Sequence, residues 1–208
     1  MYYQDNAIIL FRRDYREDDL LIHAYTQNHG KIILVSRGAK KIKSKLSGHI
    51  QPISLSELTW VGGRAKNQLI GAYLKNSYRI LKEDLNKISY AAHFLNMVDE
   101  LTQESVKDKR IFELLRSALD FLEKKSNNYS LARITFGYKL LYLLGLNPAL
   151  KQEKKHKDDI DFVVKSSINQ IITNKKIDQN LFNLNKILSG ELEGQLNRQI
   201  IIEHGFNG

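Results

Sequence analysis

The chain of 208 residues contains no cysteine. That absence excludes a disulfide framework, a thiolate zinc site and a cysteine nucleophile together, and it fits a reducing compartment. Long apolar runs are missing too. The first, Ala7–Phe11, is too short for the core of a signal peptide, and no later stretch reaches the length of a membrane span. A soluble cytoplasmic protein is therefore expected. Catalytic signatures are equally scarce. The six histidines (His23, His29, His49, His93, His156, His204) are scattered, and none forms HExxH or another metal spacing. His23 and His93 read as packing or surface residues. Gly30-Lys31 is followed by Ile32 and not by Ser or Thr, so there is no Walker A loop, and no G-x-S-x-G elbow occurs. Nothing in the chain points to an enzyme.

One more absence is local. No carboxylate lies between Arg37 and Pro52, in the stretch RGAKKIKSKLSGHIQP. Arg37, Lys40, Lys41, Lys43 and Lys45 fall close together there, between Gly38 and Gly48, with nothing nearby in sequence to neutralise them. Strand-like sequence flanks this loop on both sides, KIILVSR before it and ISLSELTWV after it. Such a loop suits a polyanion, of which nucleic-acid phosphates are the commonest; it also suits a merely solvated, solubilising surface.

The charge distribution bears on that choice. Net charge is +9, and residues 1–80 hold 13 Lys+Arg against 6 Asp+Glu, whereas the remainder holds 19 against 17. A basic N-terminal domain joined to a nearly neutral one favours nucleic acid as the partner of the first. With 42% hydrophobic and 26% charged residues the composition is that of a globular protein with ample length for a core.

Up to Tyr78 the pattern is one of short strands: Ala7–Arg13, Leu20–Thr26, Lys31–Arg37, Ile53–Val61 and Gln68–Leu74. Asn28-His29-Gly30 supplies a turn in which glycine takes positive φ, and Gly62-Gly63 supplies another. In the fourth strand Ile53 and Leu55 share one parity while Leu58 and Trp60 fall on the other, which predicts a β-bulge near Ser56–Glu57. Five short strands with these signals predict a small closed barrel of the OB type.

From Asp84 the period becomes helical. Leu85, Ile88, Ala92, Leu95 and Met97 or Val98 mark one stripe, with Glu83 and Asp84 suited to the positive helix start. Ile111, Leu114, Leu115, Ala118, Leu119 and Leu122 mark a second. A third helix starts with Ser130 as its cap and stops at Gly145 and Pro148. Lys151–Asp161 reads as a charged, mobile connector, and Ile160–Thr173 and Leu181–Glu203 as further helices. The expected architecture is α+β and multidomain: a five-stranded OB-fold barrel over residues 1–80, then an all-helical domain over 81–208.

Arg12–Leu58 also resembles the N-terminal domain of the RecO family of bacterial DNA repair proteins. The matching points run in order: Arg13-Asp14-Tyr15, Asp19-Leu20-Leu21, Thr26 before Asn28-His29-Gly30-Lys31, Arg37-Gly38-Ala39, Ser44-Lys45-Leu46 and Gln51-Pro52. Leu140–Leu150 is similar to a helix end in the family's second domain. The resemblance implies an OB-fold followed by a helical domain, binding of single- and double-stranded DNA, and annealing of complementary strands. It further implies cooperation with RecR in loading RecA onto DNA coated by single-strand-binding protein, whose acidic C-terminal tail is recognised, and a cytoplasmic, nucleoid-associated location. Many members carry a four-cysteine zinc site where this chain has Lys151–Lys157, so no metal or other cofactor is carried over. The tail Ile200–Gly208 matches no family motif.

On that reading Arg37, Lys40, Lys41, Lys43 and Lys45 neutralise phosphates, and Arg64 and Lys66 either extend the surface or sit on an exposed hairpin tip. Tyr25, Trp60 and Tyr73 are candidate stacking aromatics, with barrel core as the alternative, favoured for Trp60 because it shares parity with Leu58. Arg116, Arg133 and Lys139 lie among leucines on expected helices and edge a groove for the acidic tail, or simply belong to solvated helix faces. Two other function classes remain open: an RNA-binding OB-fold protein, and a non-catalytic scaffold whose basic loop meets an acidic protein.

Overall fold

The computed structural model describes residues 1–41, 44–63, 66–124, 128–152 and 154–205, with backbone only for 151, 155, 169, 172 and 198–205. Strands β1 (Tyr2–Asp14), β2 (Leu20–Thr26), β3 (Gly30–Ser36), β4 (Ser54–Val61) and β5 (Asn67–Asn76) form a closed barrel in the order β1-β2-β3-β5-β4. Neighbours pair antiparallel except β3 and β5, whose short parallel contact, Leu34↔Asn67 and Val35↔Gln68, closes the cylinder. This is the five-stranded OB-fold.

In β4 the alternation is unbroken: Ser54, Ser56, Leu58 and Trp60 are buried while Leu55, Glu57, Thr59 and Val61 are half-exposed. A bulge does occur near Ser56, as expected, but its extra residue lies on the partner strand and not in β4. Register shifts occur between Leu55 and Ser56 and between Thr59 and Trp60, and in both the additional residue, Lys75 or Ile70, belongs to β5. The apparent phase change in β4 came from two small serines taking inward positions. Ile53, which suggested the other parity, precedes the strand with φ of 55°.

All seven residues of β2 are buried. Leu20, Ile22 and Ala24 join the barrel core. The opposite face is covered because α2 (Leu85–Leu101) and α3 (Lys109–Glu123) pack on it, with the short α1 (Arg79–Lys82) against both helices, all in one compact unit with the barrel, Met1–Lys125. Compactness thus divides the chain at residue 125, whereas secondary structure changes character at about residue 79. Asp84 caps α2, accepting from the Asn86 and Lys87 amides at 2.8 and 3.3 Å. The buried face of α2 is Lys87, Ala91, Phe94, Leu95, Met97, Val98 and Leu101, so the expected stripe holds at Leu95, Met97 and Val98, while Ile88 and Ala92 are half-buried and Leu85 is exposed. In α3, Ile111, Leu115, Leu119 and Leu122 are buried as the periodicity required. Glu123 accepts from the amides of Ile80 and Leu81, satisfying the start of α1.

The second unit, Ser126–Gly208, holds α4 (Tyr129–Leu143), α5 (Lys154–Lys165), α6 (Ile168–Ile172), α7 (Lys175–Gln179) and α8 (Leu181–Gly205). Helix α4 begins earlier than Ser130, with Asn128 at the cap position. It ends as expected at Gly145, whose amide bonds the Tyr142 carbonyl and whose φ of 77° turns the next N–H, that of Leu146, back to the Leu141 carbonyl. The stretch Lys151–Asp161, expected as a mobile connector, instead enters α5 at Lys154. Ile160 and Val163 on this helix are fully buried, and Asp159 accepts from Asn180 at 2.8 Å and pairs with Lys176 at 2.6 Å.

Candidate nucleic-acid interface

At one end of the barrel three segments far apart in sequence meet. The β1–β2 loop contributes Tyr15, Arg16 and Asp19, the end of β3 contributes Val35 and Arg37, and the β4–β5 hairpin contributes Val61, Gly62, Gly63, Lys66 and Gln68. Together they line an open groove of about 250 Å³. Its position follows from the fold, since the parallel β3–β5 seam brings residue 35 beside residue 68. Tyr15 N–H donates to the Asp19 carbonyl at 3.2 Å, and the Asp19 carboxylate accepts from Gly38 N–H at 2.9 Å, so the loop is tied to the start of the basic stretch. Lys40 N–H bonds the Asp18 carbonyl at 3.0 Å.

Arg16 and Lys66 both approach the Tyr15 ring, at 5.4 and 5.9 Å from its centroid, within cation–π range. Three cations (Arg16, Arg37, Lys66) and one carboxylate that is engaged with a backbone amide leave the groove electropositive. Tyr15 and Arg16 were not among the candidates read from sequence. The signal available was the run of arginines at 12, 13 and 16 interleaved with a tyrosine.

The remaining basic candidates fall into three groups. Lys45 is exposed. Lys43 and Arg64 lie outside the described residues. Lys40 and Lys41 are not uncompensated: their ammonium groups lie 3.5 Å from Asp14 and 3.3 Å from Asp18. The expectation that nothing nearby neutralises the stretch holds along the sequence and fails in space, because the acidic β1–β2 loop folds back over it. Both pairs are solvent-facing, a setting in which ion pairs contribute little and yield to salt.

Of the aromatic candidates, Tyr25 is fully buried. Its hydroxyl donates to the Asp108 carbonyl at 3.2 Å, and burial pushes its ionisation well above the ordinary phenol range. Trp60 is core as well, stacked on Tyr3 at 5.4 Å. Tyr73 is exposed, but it pairs with His49 and does not line the groove.

The three cations considered for an acidic tail are each engaged within their own unit. Arg116, in the first, lies 3.6 Å from Glu113 and 3.8 Å from Asp120 along α3. Arg133 and Lys139 belong to the second unit, where Arg133 bonds the Asn185 side chain and Lys139 donates to the Ser166 carbonyl at 2.6 Å. Desolvation lowers the Lys139 ammonium below the usual lysine range.

Away from the groove, part-buried polar contacts tie the β2–β3 turn and α2 to the barrel. Asp5 on β1 accepts from Asn28 N–H and side chain, at 2.7 and 2.9 Å, and lies 3.0 Å from His29 Nδ1, fixing the β2–β3 turn. Asp99 on α2 lies 3.1 Å from His23 Nδ1 and 3.7 Å from Lys31 Nζ, latching that helix to β2 and β3. Gly30, at φ of 71°, passes so close to residues 106–107 that a Cβ there would lie 2.0 Å from the Val106 carbonyl oxygen. That approach lets Ser105 N–H reach the Lys31 carbonyl at 2.8 Å and occupy part of the free edge of β3. Among the described residues no group of three or more His, Asp or Glu side chains is placed to hold a metal ion, and no helix is long and apolar enough to cross a membrane.

Comparison with known proteins agrees with this architecture. Residues 1–78 match the family model Recombination protein O N terminal, and residues 82–169 match Recombination protein O C terminal. A DNA repair protein RecO of Alkaliphilus metalliredigens is 31% identical over 150 residues, 72% of this chain and 61% of that relative. Those of Syntrophomonas wolfei and Desulforamulus reducens are 31% and 32% identical, the matches covering 72% and 71% of this chain and 60% and 57% of the relatives. The chain thus spans about three fifths of the length of the curated relatives it matches. Two consecutive family matches along the barrel and the helices after it carry one conclusion: this chain belongs to the recombination protein O family.

Proposed function

We propose that the protein is a non-catalytic recombination mediator in DNA repair, whose barrel domain, residues 1–80, binds single- and double-stranded DNA through the basic groove and its flanks. The observation that carries this reading is the convergence of Arg16, Arg37 and Lys66 on one groove of an OB-fold barrel, with Lys40, Lys41 and Lys45 next to it in the chain. Ammonium and guanidinium groups hold phosphates without reading base edges, which is what annealing of arbitrary complementary strands requires. The relatives are named DNA repair proteins, in keeping with that chemistry. In the full reading the protein anneals complementary strands and, with a RecR-like partner, helps load RecA onto DNA covered by single-strand-binding protein in the nucleoid. The helical region, 81–208, is the part assigned to protein partners, including the acidic tail of that coating protein.

A fluorescence annealing assay on complementary DNA strands tests the binding surface. Replacing Arg37, Lys45 and Lys66 together by Glu is expected to abolish annealing, and wild-type binding to single strands should weaken with salt at a slope of about −0.7 per phosphate contacted. Annealing that survives the triple reversal refutes the assignment. Preferential binding of structured RNA over complementary DNA favours the RNA-binding alternative, and no oligonucleotide affinity at physiological salt favours the scaffold.

A further inference from the structure

The groove differs from a purely electrostatic surface in one respect: an aromatic ring stands among its cations. Tyr15 is 37% exposed, neither sunk into the core nor free in solvent. Its loop is closed by the Tyr15–Asp19 backbone bond and tied to Gly38 by the Asp19 side chain, so the ring is carried on a braced segment. The ring is approached by two flexible cationic side chains, Arg16 and Lys66. A volume of about 250 Å³ lies below the range of drug-sized pockets, about 300–1,000 Å³, and suits one nucleotide better than a stacked run.

We infer that this groove is a single-nucleotide subsite, in which one unpaired base stacks on Tyr15 while its phosphate is held by Arg37 and Lys66. The inference rests on the DNA-binding reading and deepens it. A base laid on the ring displaces the Lys66 ammonium, a strongly hydrated group on a flexible stem, and the displaced side chain is then within reach of the phosphate that arrives with the base. Stacking is tolerant of sequence, because every base presents a π-face, so the subsite adds affinity for single strands without selecting letters. A base held here is splayed from its neighbours. The site therefore discriminates unpaired from paired strands, which a phosphate-only surface cannot do.

The test compares two oligomers of about 15 nucleotides by fluorescence anisotropy with the full chain: oligo-dT, and the same backbone with every base removed. Wild type is expected to prefer oligo-dT by roughly five- to a hundred-fold, the range given by one stacked base. Tyr15→Leu is expected to lose most of that preference, while Tyr15→Phe, which keeps the ring, stays within about two-fold of wild type. The salt slope is unchanged in both variants, since no cation is removed, and Tyr73→Leu leaves the preference intact. Full preference retained in Tyr15→Leu, or no preference in wild type with a normal salt slope, overturns the subsite and leaves phosphate binding standing. No salt-dependent binding of either oligomer overturns both.

Discussion

Carboxylates at the end of β1 and in the β1–β2 loop hold two of the cations proposed to meet DNA, and their removal has a calculable consequence. Asp14 and Asp18 stand 3.5 and 3.3 Å from the ammonium groups of Lys40 and Lys41. At such distances two unit charges in water attract by about 1 kcal/mol. Exposed pairs measure about 0.2–1 kcal/mol after screening and side-chain ordering. A phosphate that takes over both lysines must displace both partners, so the two contacts together oppose binding by roughly 0.4–2 kcal/mol. The double variant Asp14→Asn/Asp18→Asn should therefore bind single-stranded DNA about two- to thirty-fold more tightly at low salt. Each lysine freed for full phosphate contact should also steepen the dependence of log K on log salt by up to about 0.7. Anisotropy titrations of a labelled single strand at four or five salt concentrations give both quantities. Equal or weaker affinity in the double variant, with an unchanged slope, would mean that the lysines do not meet phosphates at all.

Two stability predictions follow from the barrel and its helices. Gly30→Ala places a methyl group 2.0 Å from the Val106 carbonyl oxygen at a φ of 71°. Left-handed strain and loss of the Ser105–Lys31 bond together cost roughly 2–4 kcal/mol. Urea unfolding should show that loss, with Gly48→Ala, which meets open space, as a near-neutral control; equal midpoints for the two variants would refute the close approach. In alkali, Tyr25, Tyr78 and Tyr138 are held above the ordinary phenol range, chiefly by burial. Unfolded tyrosines ionise at about pH 10, so the stability these three contribute is fully present below that pH and declines as pH rises past it. A titration followed at 295 nm should show these tyrosines ionising only together with loss of helical circular dichroism; smooth ionisation of all ten with the fold intact would contradict their burial.

Much of the architecture was already legible along the chain, because it depends on near neighbours. The alternation and glycine turns of residues 7–74 imply five strands and a barrel, and Leu20–Thr26 is a strand with those very bounds. Gly145 ends α4 for a reason local to its own backbone. Basic side chains between Arg37 and Lys45 are likewise countable without coordinates. What the sequence could not decide was which distant segments face one another. Tyr15 and Lys66 stand fifty-one positions apart, and only closure of the β3–β5 seam sets them across one groove. Asp14 and Asp18 neutralise Lys40 and Lys41 through the same folding-back of the β1–β2 loop. Tyr25 has an ordinary strand aromatic's pattern and is removed from any nucleic-acid surface by burial beneath the Asp108 segment. Periodicity records which face of an element is apolar; charge pairing, stacking and burial depend on what arrives opposite that face, and that is settled in three dimensions.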